Sequence, residues 1–136
     1  MKEKRYRVFD QVIALRKAYP DGKCSYKGNT LIWIGKLRPT PLSQDYNAIL
    51  KYSLNNSPEV WILGDELQKL DDPNFPHHYK VDAQNHRVKI CLYRHAEFSD
   101  CKLLAKTIIP WAIEWLYYYE LWLITDKWLG GGEHIE

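Results

Sequence analysis

The 136-residue sequence contains only three cysteines, Cys24, Cys91 and Cys101, and none of them belongs to a CxxC pair. An odd number of widely spaced cysteines does not suggest a disulfide framework or a zinc site. The first residues are polar and lack the apolar core of a secretory signal. We therefore expect a protein without a metal that remains in the reducing cytoplasm.

The sequence also lacks a strong excess of charge and a long apolar run. Its 19 Lys and Arg against 17 Asp and Glu give a net charge of +2, which does not indicate a nucleic-acid or membrane partner. Residues 108–124 are apolar but include Pro110, Glu114 and Glu120, and a membrane span needs about 20 apolar residues. We predict that they form a buried aromatic helix.

The composition, 46% hydrophobic and 14% aromatic, predicts one domain over residues 1–136, and the order of its helices and strands, given next, predicts an α+β fold. Apolar residues at helical spacing predict an N-terminal helix from Arg5 to Tyr19. Three apolar or alternating segments, at residues 31–37, 46–54 and 60–63, predict an antiparallel β-meander.

A polar segment with two prolines, residues 65–87, is expected to be a long loop before a strand at 88–93. In that strand Cys91 should lie on the face opposite to the main apolar face. A helix is then predicted from about Cys101, bent or divided at Pro110 and ended by glycines from Gly130 onward.

Two cysteines are candidate nucleophiles. Cys91 closes a strand after a histidine-bearing loop, and the positive charges of Lys89 and Arg94 beside it would favour the thiolate. Cys101 would lie in the first turn of a helix, where the helix dipole lowers a thiol pKa. The alternative for either is a cysteine that only packs, and Cys24 has no argument for a role.

Two adjacent histidines, His77 and His78, follow a proline in the long loop. Either could orient a nucleophile or donate a hydrogen bond to an oxyanion, although loop histidines are often simply solvated. The sequence has no glycine-rich phosphate loop, no GxSxG motif and no metal-ligand pattern. We expect neither nucleotide chemistry nor a cofactor.

The order of these segments resembles that of the ubiquitin-conjugating enzyme (UBC) family. Pro76-His77-His78-Tyr79 is similar to the family's His-Pro-Asn motif, and Ile90-Cys91-Leu92-Tyr93 is similar to its Ile-Cys-Leu-Asp motif. The resemblance implies a UBC-like α+β fold, with an N-terminal helix, an antiparallel meander, a long loop with the active-site cysteine, and C-terminal helices. It implies Cys91 as nucleophile, with His77 beside it.

The resemblance is closer to a bacterial branch, the ubiquitin-conjugating-like proteins that accompany cGAS-like nucleotidyltransferases in CBASS anti-phage systems. It rests on the cysteine motif and on the segments at residues 107–111, 120–122 and 130–134. By implication, the protein would accept the C-terminal tail of the cyclase as a thioester and transfer it to a lysine, which would regulate the cyclase.

The sequence departs from the UBC pattern at the asparagine of His-Pro-Asn, which is replaced by His78 or Tyr79. A second thiol, Cys101, leaves the choice of nucleophile open. Two other interpretations also remain: a non-catalytic binding module on the same fold, and an unrelated α+β scaffold with an aromatic interaction surface.

Overall fold

The computed structural model describes residues 4–92 and 98–130. In chain order the elements are α1 (Val8–Ala18), β1 (Lys23–Lys27), β2 (Thr30–Leu37), β3 (Tyr46–Ser53), β4 (Glu59–Leu63), β5 (His78–Asp82), β6 (Arg87–Ile90), a 3₁₀ helix (Leu104–Lys106) and α2 (Ile108–Thr125).

The six strands form one antiparallel sheet in the order β1-β2-β3-β4-β6-β5. The predicted α+β class, the N-terminal helix and the three-stranded meander, now β2 to β4, are confirmed. The sequence did not predict β1 and β5, which are the two edge strands. An edge strand pairs on one side only, so a short polar segment with little apolar alternation can still form one.

One face of the sheet is apolar and buried, as the alternation in β3 predicts, and the other, here called the polar face, is partly exposed and carries charged residues together with several apolar ones. Cross-strand neighbours such as Trp33 and Leu50, or Ile62 and Val88, are buried together. On the opposite face Lys89 forms an ion pair with Glu59 at 3.2 Å. The core therefore lies between one sheet face and the helices.

Helix α1 contributes a stripe of buried residues to this core, Val8, Gln11, Val12 and Leu15. The glutamine is fully buried among aliphatic residues, which requires polar partners for its amide. Those partners lie just after Cys101 and are described below.

Helix α2 differs from its prediction at both ends. It begins at Ile108 and not near Cys101, so Pro110 lies in its first turn, where proline is tolerated. The expected bend or division at Pro110 is therefore wrong. The helix ends at Thr125, and Asp126, with φ of 61°, takes the left-handed C-cap position that was expected of the later glycines. Neither α2 nor another helix of the described segments is both long and apolar enough to cross a bilayer.

Candidate functional site

The carbonyl oxygen of His77 joins three parts of the fold at one point. Cys91, directly after β6, donates its backbone N–H to this oxygen at 3.0 Å. Trp115 of α2 donates its indole N–H to the same oxygen at 2.9 Å. The pairing of β5 with β6 thus brings the predicted histidine and the predicted cysteine together, and α2 holds them in place.

His77 adopts an uncommon backbone conformation. Its φ is 50°, in the left-handed region that non-glycine residues seldom occupy and that costs on the order of 1 kcal/mol or more. The residue is only 5% exposed, and its ring centroid lies 5.0 Å from that of Trp128. The two hydrogen bonds to its carbonyl and this ring contact hold His77 in the strained conformation.

A narrow cleft, here called the Cys91 cleft, lies beside this junction. Its free volume is about 10 Å³, close to what one water molecule requires. It brings a thiol, an imidazole and a carboxylate together within aromatic walls. The lining residues are His77, Cys91, Leu92, Trp111, Glu114, Trp115, Tyr118 and Trp128.

Cys91 is 1% exposed but lies outside the hydrophobic core cluster that includes Ile90 and Leu92. This placement agrees with the predicted alternation, in which the thiol is directed away from the main apolar face. The thiol is more deeply buried than a residue on a wet face would be, because the cleft residues surround it. Cys91 and His77 therefore line one cleft, which is too narrow for a large substrate.

Lys89, one of the two positive charges expected beside Cys91, forms an ion pair with Glu59. Lys89 places its Nζ 3.2 Å from Glu59 Oε1 on the polar face of the sheet. This hydrogen bond holds the pKa of the Glu59 carboxyl below its usual value. That Lys89 favours a thiolate at Cys91 stays a prediction, and Arg94, the other residue named for this effect, lies outside the described residues.

Cys101 is partly exposed and lies in a turn before the 3₁₀ helix. The prediction that it begins a helix is wrong, since α2 starts only at Ile108. Its Sγ lies 3.9 Å from Asp100 Oδ1. Cys101 is thus more accessible than Cys91. It does not lie in the first turn of a helix, so the argument from a helix dipole no longer supports it as the nucleophile.

Gln11 fixes the chain that follows Cys101. Its side-chain amide donates to the carbonyl of Lys102 and accepts from the N–H of Leu104, both at 2.9 Å. These two bonds satisfy the buried amide noted in α1. The same two hydrogen bonds connect the segment after Cys101 to helix α1.

Neither His78, the remaining candidate named from the sequence, nor Cys24 lines the Cys91 cleft. His78 is in β5 opposite Ile90, and its ring meets that of Phe75 edge-on at 4.9 Å. Its buried Nδ1 has no hydrogen-bond partner among the residues that the structure describes. Cys24, for which the sequence indicates no role, is buried, and this burial raises the pKa of its thiol.

Sequence reasoning missed most of the cleft walls. The sequence assigns the aromatic series from Trp111 to Trp128 to a general core with part of it facing a partner, and it gives Glu114 no role. The signal that could have indicated them is the number of aromatic rings in the C-terminal helical segment, which exceeds what one helix usually buries in a core. Within the two described segments, no group of three or more His, Cys, Asp or Glu side chains could hold a metal ion.

The structure defines an α+β protein in which a buried cysteine and a histidine meet at the end of an antiparallel strand pair. The sequence matches the profile of the family described as "Type II CBASS E2 protein" over residues 11–135, and the chain belongs to that family. A search of curated proteins finds no match to this chain.

Proposed function

We propose that this protein is a ubiquitin-conjugating-like acyl carrier of a CBASS anti-phage system. It would form one UBC-like domain over residues 1–136, act in the cytoplasm, and carry the C-terminus of a cGAS-like nucleotidyltransferase as a thioester. The observation that carries the proposal is the Type II CBASS E2 family match, together with the contact between His77 and Cys91 in this chain.

In the proposed reaction the Cys91 thiolate attacks the carbonyl carbon of an activated C-terminal acyl group, supplied by another protein as an acyl adenylate or a thioester. A C–S bond forms and the activating group leaves. A lysine amine then attacks the thioester, an amide bond forms, and the thiolate leaves while the amine loses a proton. The transfer would regulate the cyclase.

The cleft residues suit this chemistry. Apolar aromatic walls shield a thioester from water, and the imidazole of His77 can donate a hydrogen bond to the oxyanion or take up a proton. His77 would thereby supply the oxyanion support that the asparagine of the His-Pro-Asn motif provides in the family. Cys101 remains the second candidate nucleophile because it is partly exposed.

Trapping of an adduct tests the proposal. The chain is co-expressed with a cGAS-like nucleotidyltransferase, and adducts are resolved by mass spectrometry with and without reductant. We expect a reductant-sensitive adduct in the unaltered chain and its loss in Cys91→Ser, which forms at most a reductant-stable ester. Cys24→Ser is the matched control and should retain the adduct, and loss in Cys101→Ser alone would assign the chemistry to Cys101.

A non-catalytic binding module is the second candidate function. The observation that favours it is the burial of Cys91, which is 1% exposed and therefore closed to a polypeptide in this conformation. In that case the cyclase co-purifies equally with the unaltered chain and with a variant lacking all three thiols, and no adduct forms in either.

A further inference from the structure

The chain reverses its direction directly after α2 and packs against that helix. Asp126 makes the reversal with its left-handed φ of 61°. Two residues later, the ring of Trp128 lies 5.5 Å from that of Trp115 and 6.1 Å from that of Tyr118. Residues 126–130, here called the return segment, therefore run back toward the Cys91 cleft.

Contacts at both ends hold the return segment in place. At its start, Lys69 places its Nζ 3.0 Å from Asp126 Oδ1. At its end, a Cβ atom on Gly130 would lie 2.6 Å from Cδ2 of Tyr118 and 3.0 Å from Nε1 of Trp128. Real Cβ atoms do not approach other atoms this closely, so glycine is needed where the segment crosses the helix.

Trp128 forms part of the wall of the Cys91 cleft. Its ring lies against that of His77 at a centroid distance of 5.0 Å, and it lines the same cleft as Cys91. A free volume of about 10 Å³ has room for roughly one water molecule. A polypeptide C-terminus does not fit while the ring is in this position.

We propose that the return segment is an autoinhibitory strap, in which Trp128 blocks Cys91 until the segment moves away. The strap regulates the site of the proposed function, and its role in conjugation depends on that function. Whether Trp128 blocks the Cys91 thiol does not depend on the proposed function, because it concerns only the accessibility of one sulfur atom. A partner that binds the open form would shift the population toward reactive Cys91.

Alkylation of the intact chain tests the strap without any partner. Iodoacetamide labelling is followed separately at each cysteine by peptide mass spectrometry. In Trp128→Ala we expect labelling of Cys91 to accelerate about ten-fold or more, as for a group released from local protection. Cys101 lies outside the cleft and should be labelled at an unchanged rate in the same molecule.

Two further variants keep the test decisive. Gly130→Val retains the tryptophan but displaces the segment from Tyr118, so it should also accelerate labelling of Cys91. Trp61→Ala, on the polar face of the sheet, is the matched control and should have no effect. Unchanged labelling of Cys91 in both strap variants, or equal acceleration at Cys24, Cys91 and Cys101, would overturn the proposal.

The strap and the proposed function can fail separately. If Cys91 becomes reactive in Trp128→Ala but no variant forms an adduct with the nucleotidyltransferase, the strap stands and the conjugation proposal is wrong. If the adduct forms but alkylation of Cys91 is the same with and without Trp128, the conjugation proposal stands and the strap is wrong.

Discussion

The indole N–H of Trp115 donates a hydrogen bond of 2.9 Å to the backbone carbonyl oxygen of His77. The same oxygen accepts the N–H of Cys91, so helix α2 and the β5–β6 strand pair share one anchor. The geometry around the candidate nucleophile consequently depends on a tryptophan of α2 as well as on the sheet.

Trp115→Phe should destabilise the protein by about 2 kcal/mol, because it removes this hydrogen bond and leaves part of the indole volume empty. Urea unfolding at neutral pH measures the change in the free energy of unfolding. Trp61→Phe is the control, since Trp61 packs against Arg87 on the polar face and should cost less than about 1 kcal/mol. Equal losses in the two variants would contradict the anchoring role.

Gln11→Leu keeps the side-chain volume but removes both hydrogen bonds to the segment after Cys101. Two backbone groups then lose their partners, and we expect a loss of about 2–4 kcal/mol in the free energy of unfolding. Thermal and urea unfolding measure it, with the exposed Gln84→Leu as control. A neutral effect of Gln11→Leu would show that water replaces the amide at little cost.

Glu120 accepts hydrogen bonds from the hydroxyls of Tyr46, at 2.8 Å, and Ser43, at 2.7 Å. Glu120→Ala should cost about 1–3 kcal/mol, since it leaves the buried Tyr46 hydroxyl without its acceptor. A double-mutant cycle with Tyr46→Phe measures the coupling. The double variant should lose less stability than the sum of the single losses, and strict additivity would mean that the bond contributes nothing.

Alkaline pH should destabilise the protein through Tyr119. Burial raises the pKa of its hydroxyl to about 12, above the value of 10.0 for an unperturbed tyrosine. The unfolded chain therefore loses this proton first, so the stabilisation is complete below pH of about 10 and is lost as pH rises toward about 12.

The melting temperature measured across this alkaline range tests the expectation. Tyr119→Phe removes the titrating group and should show a shallower decline between pH of about 10 and 12. It should also be less stable at neutral pH, because the hydroxyl bonds both to the N–H and to the carbonyl of Gln68. Parallel declines in the two proteins would assign the alkaline loss to other groups.

Periodicity was sufficient for the elements that bury one regular face. The predicted α1 and the meander agree with the structure because each buries alternate or helically spaced apolar residues. Periodicity failed for β1 and β5, whose stability comes from a neighbouring strand, and for the start of α2. There the apolar Leu103 and Leu104 fit helical spacing, but the hydrogen bonds to Gln11 hold the chain in another conformation.

The sequence by itself determined the α+β class, the wet and dry faces of the sheet, and the two motifs that contain His77 and Cys91, because these depend on local composition and spacing. Tertiary structure alone decided that His77 and Cys91 share a hydrogen bond, that Lys89 pairs with Glu59, and that Trp128 lines the same cleft as Cys91. Each of these contacts joins residues on different elements, and their distances follow from how the elements pack rather than from their order along the chain.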